Sequence, residues 1–270
     1  MKQVNMRTPL MLLAVASALV NAACTPSGPP LRTTVAPTTA SEPPPSAYVA
    51  MLRKEGIGAA IPSSGKFVLV NIPSFELVAL QDSAPVLYSR VVVGRPATPT
   101  PELLSSMSAI KFNPSWTPTP AMIRFEGLRY VPPGPNNPLG RILFELDNEE
   151  LVFLHDTNDR KLFDPAQRAF SHGCVRVEKA RQLAAWALGV PEGEIEAMIS
   201  RGATYSVPLP QQIPVALVYS TRFPDEQGRV VTYPDIYASR VAAARTAREG
   251  EAVAAAGAGE SGNTRTCAGP

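Results

Sequence analysis

The chain has 270 residues, with 25 Lys and Arg set against 23 Asp and Glu for a net charge of +2 at neutral pH. That near-balance, without any long run of like charges, excludes a nucleic-acid-binding surface and makes acidic polymers poor partners. The three cysteines, Cys24, Cys174 and Cys267, are too few for a disulfide scaffold, and the length suits one substantial core with appendages.

The N-terminus opens on a basic stretch (Lys2, Arg7), an apolar run over residues 10–20 and small residues before Cys24. The run is too short to span a bilayer and fits the core of an export signal, so residues 1–23 read as a signal. The mature protein is then expected in the periplasm or cell envelope. Ala22-Ala23-Cys24 resembles the end of a bacterial lipoprotein signal, in which a lipidated Cys24 would anchor the chain to the membrane. Asn21 stands where such signals carry an aliphatic residue, so cleavage after Ala22 or Ala23 by ordinary signal peptidase is the rival outcome. Proline, at 29 residues, is about twice ordinary usage and clusters over 26–45 and 96–138. The first cluster belongs to a flexible Pro/Thr/Ser-rich linker over 24–50, with a short helix over 47–54 at its end. The second reads as loops around a site.

A folded domain over 51–240 follows. Residues 67–72, 76–80 and 86–93 read as strands, the first two joined by Pro73-Ser74, and 142–146, 150–155 and 215–221 add more. Residues 169–177 read as an extended segment. Short, closely spaced strands predict a mainly β fold, a sandwich or barrel-like sheet. Helical patterning is confined to 178–189, with an apolar stripe and Gly189 as a stop, and to 191–202, with Pro191 in the first turn. Both stripes read as packing faces. The segment 241–270, which carries Cys267, lacks a consistent apolar face and reads as a disordered tail.

The chemistry gathers in one place. Both histidines of the chain lie within twenty residues of Cys174: His155, fifteen intervening residues, then Ser171-His172-Gly173-Cys174-Val175-Arg176. A free thiol has a pKa near ~8.5 and needs a neighbouring imidazole to raise its thiolate fraction; His155 can supply it from an adjacent strand. Asp156 could orient the His155 ring through its backbone or its side chain. Gly173 allows close backbone approach, so the amides of Gly173 and Cys174 are candidates for stabilising an oxyanion. The bland reading takes a strand histidine, a surface histidine and a core cysteine. The clustering of all three argues against it. A metal site built from His155, Asp156, His172 and Cys174 matches no common zinc spacing.

These residues resemble the signature of the L,D-transpeptidase (YkuD-type) catalytic domain. Leu69-Val70-Asn71-Ile72-Pro73, Val91-Val92-Val93-Gly94, Phe112-Asn113-Pro114-Ser115-Trp116, Pro133-Gly134-Pro135-Asn136-Asn137-Pro138-Leu139-Gly140, Leu154-His155-Asp156-Thr157 and Asp235-Ile236-Tyr237 resemble the subgroup of large periplasmic members. The resemblance covers about residues 66–240. It implies a β-rich fold and acyl transfer on peptidoglycan stem peptides without metal or organic cofactor. Cys174 would be the nucleophile, attacking the tetrapeptide stem at the L-centre of its diamino acid. D-alanine would leave, and a second stem's amine would resolve the acyl-enzyme into a 3→3 cross-link. By the same resemblance His155 is the base, His172 and Gly173 shape the oxyanion loop, and Ser171 is the small hydroxyl residue of the motif. Arg176, Asn136, Asn137 and Asp156 fall on the substrate-binding side, Arg176 facing a stem carboxylate. Carbapenems would acylate Cys174.

Two departures stand out. The subgroup's upstream peptidoglycan-binding module has no counterpart in this sequence, and the lid insertion is cut to residues 117–130, leaving an open site. Hydrolysis is then expected to compete with transfer. The alternatives are an L,D-carboxypeptidase or amidase, including attachment or release of a wall-bound lipoprotein, and, from another class, a non-catalytic wall-binding lipoprotein.

Overall fold

The apolar runs are strands covered on both faces. In the computed structural model, which describes residues 46–58 and 60–238, β1 (Lys66–Asn71) and β2 (Glu76–Gln81) pair antiparallel from Lys66↔Gln81 to Asn71↔Glu76. Val68, Val70, Leu77 and Ala79 enter the main core, whereas Phe67, Leu69, Val78 and Leu80 meet the helix α1 (Ala47–Lys54) on the opposite face. Burial on both sides is why these strands lack polar alternation.

The helix expected over 47–54 forms. Its N-cap Ser46 accepts from the Val49 amide at 3.3 Å, and Arg53 and Lys54 sit in the last turn, where positive charge suits the helix dipole. Tyr48, Val49 and Leu52 are buried against the sheet, each such burial stabilising by roughly 1.5–3 kcal/mol. A domain boundary drawn at residue 50 therefore cuts a packed helix. The residues expected to form an export signal, most of the expected linker and the expected C-terminal tail lie outside the described residues.

The chain continues through β3 (Ala84–Gly94), β4 (Leu103–Phe112), α2 (Pro120–Glu126), β5 (Ile142–Leu146) and β6 (Leu154–His155). A 3-10 turn at Arg160–Phe163 precedes β7 (Ala169–Ser171), β8 (Val175–Val177), α3 (Ala180–Leu188), α4 (Glu192–Ser200) and β9 (Tyr205–Val218). β10 (Arg222–Pro224) and β11 (Val230–Thr232) close the described chain as a hairpin. The main sheet runs β2-β1-β9-β4-β5-β6-β8-β3-β7, and β3 also pairs with β2, so all but β7 close into a barrel. This is the mainly β, barrel-like fold that the sequence predicts. The two helices after Cys174 send Leu183, Ala184, Ala187 and Ile195 into the barrel's core, and Gly189, at φ 72°, ends α3.

Two strands escape sequence patterning for local reasons. In β4 the buried residues Met107, Ile110 and Phe112 break the period of two, because a bulge between Met107 and Ala109 inserts a residue. β9 extends back to Tyr205, ten residues before the strand expected at 215, and carries Pro208, Pro210 and Pro214. Its first half pairs with β4 alone, since β1 joins only from Val215, and a one-sided strand tolerates missing amides. Among the described residues no helix is long and apolar enough to cross a membrane.

Candidate active site

A short parallel pairing sets His155 beside the segment that carries Cys174. β6 lies between β5 and β8, with Leu154 opposite Val175 and His155 opposite Arg176. Val175 and Val177 turn into the core, and Cys174 immediately precedes the strand. Of the strand expected over 150–155, only Leu154–His155 pairs as one. Before it the Asn148 side chain takes the partner's role, bonding both the amide and the carbonyl of Val152 at 3.0 and 2.9 Å. Leu151, at φ 54°, is exposed, and its carbonyl lies 3.8 Å from the Cys174 sulfur.

His155 is 3% exposed, and its Nδ1 lies 2.6 Å from the Asp156 carbonyl. A carbonyl only accepts, so Nδ1 carries the proton and Nε2 keeps the lone pair a base needs. Burial drives the imidazole pKa down to about 3, the Arg176 charge adds to that, and the Asp156 carbonyl opposes it. Burial also raises the Cys174 thiol above its ordinary value, against a backbone hydrogen bond from Phe153 and the attraction of Arg176. At rest burial thus favours a neutral thiol at Cys174 and a neutral imidazole at His155.

The motif loop is stitched into shape. Ser171 Oγ donates to the Cys174 carbonyl at 2.5 Å and accepts from the Gly173 amide at 3.1 Å. This corrects the expected oxyanion pair: the Gly173 amide is engaged inside the loop, whereas the Cys174 amide makes no hydrogen bond among the described residues. Gly173 sits at φ 118°, a region that L side chains rarely adopt. Its carbonyl accepts from Thr100 Oγ1 at 2.7 Å, and the same oxygen accepts from the Gly94 amide. Tyr237 OH donates to the Gly94 carbonyl and accepts from the Thr100 amide, and Thr98 Oγ1 donates to the Ser171 carbonyl.

A family profile described as the YkuD L,D-transpeptidase catalytic domain matches residues 65–213. The chain belongs to this L,D-transpeptidase family. A Haemophilus influenzae protein named "Putative L,D-transpeptidase" is 30% identical over an alignment of 221 positions that covers 66% of this chain and 45% of that protein. The matched region thus spans less than half of the relative's length. Among solved structures, the catalytic domain of the Enterococcus faecium L,D-transpeptidase acylated by ertapenem aligns with a TM-score of 0.38 and 17% identity, covering 57% of this chain and 98% of that one. An L,D-transpeptidase from Xylanimonas cellulosilytica aligns with a TM-score of 0.37 and 17% identity, covering 58% and 62%.

Not every residue expected on the substrate side of the L,D-transpeptidase site is free for it. Asn137 is fully buried; its amide donates to the carbonyls of Pro114, Val131 and Pro132, and its oxygen accepts from Leu139. It builds the loop and has nothing left for a ligand. Asp156 is likewise buried, its carboxylate taken by the Arg141 amide at 3.0 Å and by Arg160. Only its carbonyl serves the site, as the anchor of His155. Asn136 is exposed. Arg176 is half-buried, and among the described residues its Nε and Nη1 have no hydrogen-bond partner.

The segment 117–130, expected as a shortened lid, carries the helix α2. Thr119 caps α2, Pro120 starts it and Gly127, at φ 66°, ends it; none of its residues is buried. Paired amides and carbonyls of Trp116 and Val131 pin its base. Glu126 ties its far end to His172 Nε2 at 2.9 and 3.0 Å and to Arg95 at 3.3 Å. Glu126, Thr98 and Thr100 carry no local motif in the sequence and were visible only once the chain folded.

Proposed function

We propose that this protein is an exported peptidoglycan L,D-transpeptidase with Cys174 as nucleophile and His155 as general base. The observation that carries the reading is the β6–β8 pairing, which sets a His155 of fixed tautomer beside the strand that follows Cys174. As Cys174 attacks the carbonyl on the L-centre of the stem's diamino acid, its proton passes to His155 Nε2. The same proton then goes to the departing amine of D-alanine. The Cys174 amide faces the developing oxyanion, with Gly173 and Ser171 holding the loop that presents it. The unpaired Arg176 guanidinium receives a stem carboxylate, and the exposed Asn136 contacts the stem. A second stem's amine resolves the thioester into a 3→3 cross-link. The leader exports the protein to the periplasm or envelope, where a lipidated Cys24 would tether it.

The small, unburied α2 favours a second reading on the same chemistry, in which water resolves the acyl-enzyme and the protein acts as an L,D-carboxypeptidase. Incubation with disaccharide tetrapeptides followed by mass spectrometry separates the two. Cross-linked dimers that vanish in Cys174→Ala support transfer. Tripeptides alone would refute it, and processing by the Cys174→Ala variant would refute the mechanism altogether.

A further inference from the structure

The acceptor makes a demand that His155 alone does not meet. An alkylamine of pKa near ~10.4 reaches the thioester as an ammonium ion, so amide formation removes two protons from its nitrogen. One must go before the lone pair can attack and one after. Hydrolysis needs a single proton removed from the attacking water, for which the buried His155 suffices. A second, solvent-facing proton acceptor would raise the fraction of free amine at the thioester and so favour transfer.

We propose that His172, positioned by Glu126 of α2, is that acceptor, and so favours an amine over water in the second half of the reaction. The inference rests on the acyl transfer at Cys174 proposed above. His172 lies two residues before the nucleophile, with its side chain 27% exposed and that of Glu126 36% exposed. An ionised carboxylate can only accept, so the contact of Glu126 with Nε2 places the ring proton there and leaves the lone pair on Nδ1. Nδ1 makes no hydrogen bond among the described residues. Arg95, whose Nη2 reaches the same carboxylate and whose amide donates to the Ser171 carbonyl, holds Glu126 over the motif loop. Glu126 also brings negative charge to where a cationic acceptor arrives.

The step balances as follows. Nδ1 of His172 takes a proton from the ammonium, and the freed lone pair forms the C–N bond to the thioester carbonyl carbon. The C–S bond breaks with its electrons returning to sulfur. The second N–H proton passes through His155 to the thiolate, restoring the thiol, and His172 releases its proton to water.

The experiment compares wild type with Glu126→Gln and His172→Gln on one tetrapeptide donor. It uses two acceptors, an alkylamine and an alkoxyamine, the latter already unprotonated in neutral solution. Glu126→Gln is expected to lower the ratio of alkylamine transfer to hydrolysis at least ~10-fold while leaving the alkoxyamine ratio near that of wild type, and His172→Gln is expected to lower the alkylamine ratio more than the alkoxyamine ratio. An unchanged alkylamine ratio, or equal loss with both acceptors, would overturn the role of the dyad. Failure of the wild type to release the donor's terminal D-residue would instead overturn the acyl-transfer reading, and the dyad with it.

Discussion

The buried His155 should make folding depend on pH in a way that one substitution removes. Its pKa lies at about 3 in the native protein against an ordinary value of 6.5, so between those limits the unfolded chain binds a proton that the native protein does not. The contribution to stability is therefore fully present above pH ~6.5 and is lost as the pH falls from there toward about 3. One extra proton in the unfolded state corresponds to about 1.4 kcal/mol per pH unit, or about 5 kcal/mol over the full interval. Urea denaturation of wild type and His155→Gln at closely spaced pH values isolates the effect, because other titrating groups are common to both. The stability difference should be flat above pH 7 and change with that slope below 6, wild type losing ground. A difference independent of pH would refute the neutral, buried imidazole and the resting state built on it.

The remaining predictions follow from the buttressing contacts. Asp156→Asn should destabilise the fold by about 1–3 kcal/mol while sparing thiol acylation in the folded fraction, because His155 is held by the main-chain carbonyl. A loss of acylation without loss of stability would return Asp156 to the substrate side. Tyr237→Phe removes the hydroxyl that joins Gly94 to Thr100, and should lower both the melting temperature and the acylation rate by β-lactam carbapenems; unchanged acylation would detach that network from Gly173. At Gly140, φ 64°, an added Cβ would stand 2.5 Å from Asp156 Oδ2 and 2.6 Å from the Thr157 amide, whereas at Gly127, φ 66°, it would meet nothing within 4 Å. Gly140→Ala should therefore lower the melting temperature well beyond Gly127→Ala, which carries only the left-handed backbone cost of ~1–2 kcal/mol. Equal shifts would show that the crowding is relieved at no cost.

The motif around Cys174 was legible because its loop is local: Ser171, Gly173 and Cys174 hydrogen-bond within four residues of one another, so the loop is written in one contiguous stretch of sequence. His155 was legible for a related reason, since a two-residue parallel pairing joins it to the same stretch. Thr100 and Glu126 act on the loop across 73 and 46 residues, and a threonine or glutamate in a Pro-rich loop looks like any solvated polar residue. Asn137 and Asp156 misled in the opposite direction. Polar residues in a family-like loop suggest ligand contact, yet neighbouring backbone engages the Asn137 amide, and the Arg141 amide with the Arg160 side chain engages the Asp156 carboxylate. Polarity is visible in a sequence, but its satisfaction is a tertiary property. The fold followed the same division: two-sided burial made β1 and β2 plain, while the bulge in β4 and the one-sided pairing of β9 erased the patterns that would have marked them.

The neutral resting pair also bears on how a free thiol survives in the oxidising compartment proposed for this protein. Disulfide exchange and peroxide attack both proceed through the thiolate, so a thiol raised above its ordinary pKa is protected in proportion. A pre-formed thiolate–imidazolium pair would be permanently reactive. Here burial disfavours both charges, and Arg176 pulls against burial at the thiol while reinforcing it at the imidazole. The guanidinium thus opposes imidazolium formation while easing the thiolate. A carboxylate that neutralised Arg176 would relax the penalty on imidazolium and at the same time withdraw the aid to the thiolate, so the two effects oppose one another. Burial, and not the guanidinium, is therefore what keeps the thiol quiet.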